Sequence, residues 1–185
     1  MVLTDSEVND ILNFWFPNQE YNKFWFQKND QFDLLIKNKY HNLILKIFNN
    51  IKIIDITQLN SNKLISIIIL LDQFSRNINR TILKENQSIG INNTVIYHTN
   101  LENNNIFKMT EEAQRLSKYW IDKKYYLTEP INKTVFALMP LRHLNKLHDY
   151  EIILDVLDKI QDKKNDEIYI KFKNQTIKRK DILRN

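Results

Sequence analysis

Apolar residues recur every three or four positions along most of this chain, which is the spacing of one face of an α-helix. The clearest run follows Asn29, a residue that favours the start of a helix. Its apolar members are Phe32, Leu35, Ile36, Tyr40, Leu43, Ile44, Ile47 and Phe48. Comparable runs elsewhere predict an all-α fold, an antiparallel bundle of about six or seven helices joined by short connections.

Residues that favour helix starts precede several of these runs. Thr4 and Glu7 have the spacing of a capping box, in which each side chain satisfies a free backbone amide of the other. Ser61 is predicted to cap a third helix and Thr110 a later one. Pro140 should end or kink the helix in which it lies, because proline lacks the amide that continues the hydrogen-bond ladder.

Two segments are harder to assign from their pattern. Residues 87–101 are predicted to form a helix on the strength of a few apolar positions, Ile91, Val95 and Ile96. Residues 168–173 alternate between apolar and other side chains as a strand does, although a frayed helix fits equally well. We therefore predict a single helical domain over residues 1–162 and a basic C-terminal tail or extra element over residues 163–185.

The rare residue types exclude several kinds of chemistry. The 185-residue chain has no cysteine, which excludes thiol catalysis, disulfides and thiolate zinc sites. A single glycine excludes the glycine-rich loops that bind phosphates and the nucleophile elbow of serine hydrolases. His143 and His148 are five positions apart and do not share one helical face. We predict no metal and no cofactor.

Charge and targeting features give weaker indications about partners and compartment. The net charge of +5 and the pI of about 9.2 arise from lysine and arginine that are mostly interleaved with acidic residues. The exception is the C-terminal run of Lys171, Lys173, Lys178, Arg179, Lys180 and Arg184. A nucleic-acid partner fits this run, but a composition rich in isoleucine, asparagine and lysine explains it too. Without a signal peptide or an apolar run of roughly 18 residues, we expect a cytoplasmic protein with no membrane partner. The oligomeric state is left open.

The densest polar group on an apolar element lies in the segment LLDQFSRNINR, residues 70–80. On a helix, Asp72, Arg76 and Arg80 share one face, since they are four positions apart. Two neighbouring guanidinium groups can hold an anion, with Asp72 orienting Arg76 and Gln73 contacting an adjacent polar group. The alternative is an internal network in which Arg76 links Asp72 to the C-terminus of another helix and Arg80 is merely solvated.

Two aromatic triplets and one histidine are further candidates. Phe14-Trp15-Phe16 and Phe24-Trp25-Phe26 cannot direct all their rings into one core, because adjacent helical residues point in different directions. Trp15 and Trp25 therefore either pack in the core or form a stacking surface beside the arginines. His143 follows Pro140, where a helix break would free backbone groups, and is a candidate acid or base.

Three motifs resemble a known family when they are taken in order. ILNFWF at residues 11–16, FWF followed by FDLLI within residues 24–36, and LLDQFSRN at residues 70–77 are similar to motifs of the domain-of-unknown-function 924 family. The resemblance covers about residues 8–160. It implies an all-helical, tetratricopeptide-like fold and no established biochemical role. The positions that match the family motifs are Asp72, Gln73, Arg76, Asn77, Arg80, Trp15 and Trp25.

The chain also departs from the family pattern. Ser75 stands where the family has proline and Asn79 where it has tyrosine. Arg142 and Asn145 replace acidic residues beside the later histidine, and the arginine- and histidine-rich segment near the family's C-terminus is replaced by the lysine-rich tail. We accordingly read the chain as a divergent member. A reaction that needs those acids or a second histidine is not expected here.

These features predict a binding module rather than a defined enzyme. Its polar cleft would take a small anionic ligand or a peptide carboxylate. The predicted ligand-binding residues are Asp72, Gln73, Arg76, Arg80, His143, Trp15 and Trp25. The alternatives are an enzyme that uses His143 beside the Asp72–Arg76 cleft and a nucleic-acid-associated protein that acts through its basic tail.

Overall fold

The computed structural model describes residues 3–17, 22–88 and 103–184, and all regular structure within them is helical. The α-helices are α1 (Asp5–Trp15), α2 (Asp30–Asn50), α3 (Ser61–Ile68), α4 (Ser75–Ser88), α5 (Asn103–Asp122), α6 (Ile131–His143), α7 (Leu147–Lys159) and α8 (Glu167–Arg184). A π-helical segment, Ile69–Phe74, joins α3 to α4 without a break. The described residues thus form seven helical rods, which confirms the predicted all-α class. The tetratricopeptide-like arrangement stays a prediction.

The first helices begin where the capping residues place them. The Glu7 amide donates to Thr4 Oγ1 at 3.2 Å and the Thr4 amide donates to the Glu7 carboxylate at 2.7 Å, which is the predicted capping box. Asn29 Oδ1 accepts from the Phe32 amide at the start of α2. At α3 the cap is Asn60, one residue before Ser61. The Ser61 hydroxyl instead accepts from the Trp120 indole, because this turn packs against α5.

One predicted helix start is wrong, and one of the two alternatives predicted at Pro140 does not occur. Thr110 does not cap a helix, since α5 already begins at Asn103 and buries Ile106 and Met109 ahead of it. Pro140 does not end α6, which continues to His143. Neighbouring helices cover α6 on several sides, and this packing stabilises the helix beyond the proline.

The core is built around the rod formed by α3 and the π-helical segment. Residues 64–74 are buried throughout, and the rod is packed by α2, α5 and α6. The C-terminal segment forms α8, so the helical alternative is the correct one there. α8 packs on α6 and α7 and adds Ile168, Tyr169 and Phe172 to the same core.

Part of one predicted helix cannot be compared with the structure. Residues 87 and 88 end α4, and the rest of the predicted helix over residues 87–101 lies outside the described residues. In the ranges that are described, no helix is both long and apolar enough to cross a membrane.

Candidate functional site

The signature segment LLDQF lies in the irregular part of the central rod. Residues 70–74 belong to the π-helical segment, and all of them are buried. A π turn leaves backbone groups outside the regular α-helical ladder, and such turns occur frequently at functional sites. Here the Ser75 hydroxyl donates to the backbone carbonyl of Leu71 at 2.6 Å. It also lies 3.3 Å from the backbone carbonyl oxygen of Asp72. The serine therefore satisfies carbonyl groups at the point where the rod returns to α-helix.

Asp72 is the centre of a buried polar network. Its side chain is fully buried, and Oδ1 lies 2.7 Å from His143 Nδ1 and 3.2 Å from Arg76 Nε. Gln73 Nε2 donates to the other oxygen, Oδ2, at 2.5 Å. Burial alone raises the pKa of a carboxyl group, but the adjacent His143 and Arg76 outweigh it and lower the pKa of Asp72. Asp72 is therefore a carboxylate at neutral pH.

The carboxylate fixes the orientation of His143. An ionised carboxylate can only accept hydrogen bonds, so Nδ1 of His143 carries the proton of this contact. The other ring nitrogen, Nε2, has no hydrogen-bond partner among the described residues. The His143 side chain is 19% exposed, whereas Asp72 is wholly shielded. The arrangement presents one imidazole nitrogen at the surface and holds the other in the interior.

Arg76 links the same carboxylate to α5. Its Nε donates to Asp72 and its Nη2 donates to Thr110 Oγ1 at 2.9 Å. Thr110 in turn donates to the Ile106 carbonyl at 3.0 Å. The Arg76 side chain is 33% exposed, so part of the guanidinium group is accessible while the rest is fixed by the protein. Arg76 thus bridges two elements, although its second partner is a side chain within α5 and not the helix C-terminus that the internal-network alternative predicted, and it also reaches the surface.

Arg80 lies one turn further along and has a different partner. Its Nε and Nη2 donate to the two oxygens of Asp33 on α2, each at 2.8 Å. Asp33 is buried, so this forked ion pair connects α4 to α2. The expectation that Arg80 is merely solvated is wrong. Asp33 already accepts hydrogen bonds from Nε and Nη2 of Arg80. Arg80 therefore has fewer donors left for a ligand.

Both tryptophans lie in an aromatic cluster of the core. Trp25 Nε1 donates to the Trp15 carbonyl at 2.7 Å, and the Trp15 ring centre lies 5.2 Å from Phe74 and 5.3 Å from Phe136. Both side chains are buried, so core packing describes them and a broad stacking surface does not. Phe26 is the ring of its triplet that points elsewhere, since it is exposed.

Several residues that organise the site were not identified from the sequence. Asp33 and Thr110 bind the two arginines, and Arg142 is a buried cation next to His143. Asp33 lies in the FDLLI motif of the family resemblance, which is a usable signal. Thr110 was interpreted as a cap, and Arg142 stood out only as a departure from the family pattern.

The basic C-terminal run carries less free charge than its composition indicates. Lys173 pairs with Asp158 at 2.7 Å, Arg184 pairs with Glu151 at 3.2 Å, and Lys171 pairs with Glu167. Much of the run's positive charge is therefore offset by neighbouring acidic groups. Among the described histidine and acidic residues, no group of three or more is placed to hold a metal ion.

Comparison with other proteins relates this geometry to a family of unknown function. The sequence model of a family described as "Bacterial protein of unknown function (DUF924)" matches residues 11–88, which include both aromatic motifs and the Asp72 segment. No curated protein has a significant sequence match to the chain. A solved structure of a protein of unknown function from Agrobacterium tumefaciens has a TM-score of 0.68 at 17% identity, covering 99% of this chain and 85% of that one. The resemblance to the DUF924 family is thus confirmed over residues 11–88, and the fold is shared with the Agrobacterium protein along almost the whole chain.

Proposed function

We propose that this protein is a binding module that takes a small anionic ligand on the exposed edges of Arg76 and His143. The observation that supports the proposal is the Asp72 network. One oxygen of the Asp72 carboxylate contacts both Arg76 and His143, so the two side chains lie side by side. Each of them is also partly exposed. Side chains that are fixed in advance lose little conformational freedom when a ligand binds.

The charge balance around Asp72 also favours an anion. Arg76 contributes one positive charge, and Arg142 is near enough to be influenced by the Asp72 carboxylate. The Asp72 carboxylate contacts one guanidinium group and one imidazole, and Arg142 adds a second positive charge without contacting it. Among the described residues, Arg76 Nη1 and His143 Nε2 have no hydrogen-bond partner. Two such donors suit the oxygens of a phosphate or a carboxylate, whether of a small metabolite or of a peptide terminus.

A thermal-shift screen of the full chain tests this proposal. The probes are inorganic phosphate, glucose 6-phosphate, citrate, and one tripeptide with a free or an amidated C-terminus. A ligand at 100 times its Kd adds about 2.7 kcal/mol of apparent stability. For a chain of this length that raises Tm by about 5–10 °C.

Two variants show whether a shift comes from this site. Arg76→Ala should abolish the ligand-induced shift, because it removes the exposed donors. Arg115→Ala is the matched control, since Arg115 is an exposed arginine on α5 that pairs with Glu112. Equal shifts in the wild type and both variants would place the ligand elsewhere. The absence of a shift with any probe would remove the support for a small-anion site.

An acid–base enzyme is the second candidate, and one observation favours it. A buried carboxylate holds Nδ1 of His143 at 2.7 Å and leaves Nε2 facing outward, which is how a carboxylate orients a catalytic histidine. Mass spectrometry of a ligand from the screen, incubated with the protein, tests this candidate. Conversion by the wild type that His143→Gln abolishes while ligand binding persists supports the enzyme. Without conversion above a protein-free blank, the chain is a binding module only.

A further inference from the structure

A pocket of about 490 Å³ lies between α6 and α8, away from the Asp72 network. Its wall includes Phe26, Arg142, Ile170, Phe172, Asn174 and Gln175. Asp72, Arg76 and His143 do not line it, so it is independent of the site proposed above. Its volume falls in the range of pockets that hold small organic ligands.

Arg142 is a buried cation with no carboxylate partner in the described part of the chain. Its side chain is 8% exposed, and its guanidinium carbon lies 4.8 Å from the centre of the Phe172 ring. Its Nε is buried with no hydrogen-bond partner among the described residues, and none of their ion pairs includes Arg142. Buried charged groups are normally paired or hydrogen-bonded, because removing them from water is costly. The unpartnered guanidinium group therefore points to an anion that binds from the pocket.

The surroundings of Arg142 increase its need for an anion. Burial and the nearby positive charge of Arg179 lower the pKa of Arg142 to about 10, so it is still charged at neutral pH. The charge of Asp72 opposes that effect only in part. Lys171 also lines the pocket, but Glu167 already pairs with it.

The rest of the wall is suited to an apolar body rather than to a second charge. Phe26 and Ile170 are large apolar side chains that line the pocket and are exposed. The Phe26 ring stacks on Phe136 and is held in place by it. The side-chain amides of Asn174 and Gln175 add hydrogen-bonding groups at the same wall.

We propose that this pocket binds a small carboxylic acid with an apolar body. The carboxylate pairs with the Arg142 guanidinium group, and the body packs against Phe26 and Ile170. A single unpaired guanidinium group matches the charge of a monocarboxylate better than that of a phosphate. Pairing would also give the guanidinium group a hydrogen-bond acceptor, which the described residues do not supply.

Calorimetric titration of the full chain with phenylacetate tests the proposal, because this probe combines a carboxylate with one aromatic ring. Phenylacetamide has the same shape without the charge. We expect saturable binding of phenylacetate and at least tenfold weaker binding of the amide. No binding of phenylacetate at millimolar concentration, or equal binding of the amide, would overturn the proposal.

Substitutions then locate the binding. Arg142→Met removes the charge but keeps a long side chain, and it should weaken phenylacetate binding at least tenfold. Asn174→Asp adds a carboxylate to the wall at an exposed position that tolerates the change, and it should weaken binding similarly even if Arg142→Met folds poorly. Arg115→Ala, at an exposed arginine of α5 that belongs to neither site, should leave phenylacetate binding unchanged. Unaltered affinity in both pocket variants would refute the assignment.

Discussion

Replacing Asp72 with asparagine should destabilise the fold substantially, although the two side chains have nearly the same shape. In the wild type the carboxylate accepts from His143, Arg76 and Gln73, and these contacts are charge-assisted because the acceptor is ionised. A charge-assisted hydrogen bond contributes about 1.5–3 kcal/mol. Asparagine keeps one acceptor oxygen and turns an amide towards the remaining donors. We therefore expect the free energy of unfolding to fall by about 3 kcal/mol. In a chain of this length that lowers Tm by about 6–12 °C.

The pH dependence of this loss follows from the lowered pKa of Asp72. Because folding favours the ionised form, the carboxylate contributes stability that is complete above its ordinary pKa of 3.8 and is lost as the pH falls towards its lower value in the fold. The amide introduced by Asp72→Asn does not titrate. The difference in unfolding free energy between the wild type and this variant should therefore be largest near neutral pH and should shrink below about pH 4.

Urea unfolding followed by circular dichroism, repeated from pH 3 to pH 7, measures this difference directly. Asp155→Asn is the matched control, because Asp155 is exposed and pairs only with Lys159 one turn away. The control should unfold at the wild-type urea concentration. If Asp72→Asn is as stable as the wild type at neutral pH, or if its deficit does not change with pH, the buried carboxylate does not hold this network together.

Three further substitutions test other contacts. Asp33→Asn should lower the free energy of unfolding measured in urea by about 1–3 kcal/mol, since it weakens the forked contact with a partly exposed Arg80. Ser66→Ala should raise the free energy of unfolding by about 1 kcal/mol, because the Ser66 hydroxyl is buried without a hydrogen-bond partner among the described residues. Arg142→Met should raise Tm in the absence of ligand, because a pKa lowered from 12.5 to about 10 corresponds to about 3 kcal/mol against the buried charge. The extra stability of Arg142→Met over the wild type is complete below pH 10. It declines as the pH rises through 10, where the wild-type guanidinium group loses its charge. A Tm of Arg142→Met below that of the wild type at neutral pH would contradict this reasoning.

The sequence was informative where local patterns decide the structure. Apolar spacing and side-chain caps predicted α1 and α2, because a helix and its first turn depend on residues within a few positions of one another. The π-helical segment was not predicted, since a change of hydrogen-bond register leaves the apolar spacing of a wholly buried rod unaltered. Helix α5 was predicted to start too late because its first turns contain asparagines that favour caps, whereas tertiary packing of Ile106 and Met109 extends the helix.

The partners of the charged side chains depend on contacts between distant parts of the chain. Arg76 was expected to act with Asp72, four residues away, and this contact is present. Asp33 is 47 positions from Arg80, and nothing in either local segment selects one for the other. The same holds for Asp72 and His143, which are 71 positions apart. Such pairs become visible only when the helices are packed.

The π-helical segment also sets the rotational phase between the two halves of the central rod. One residue of an α-helix corresponds to a rotation of about 100° about its axis. A π turn takes about one residue more than an α turn for the same rotation. If positions 69–74 kept all their residues but formed a plain α-helix, the downstream half of the rod would turn by about 100° relative to α3. The apolar face of α3 and the arginine face of α4 could then not both meet their partners. The hydrogen-bond register of this segment is therefore as strict a requirement of the fold as the identity of its residues.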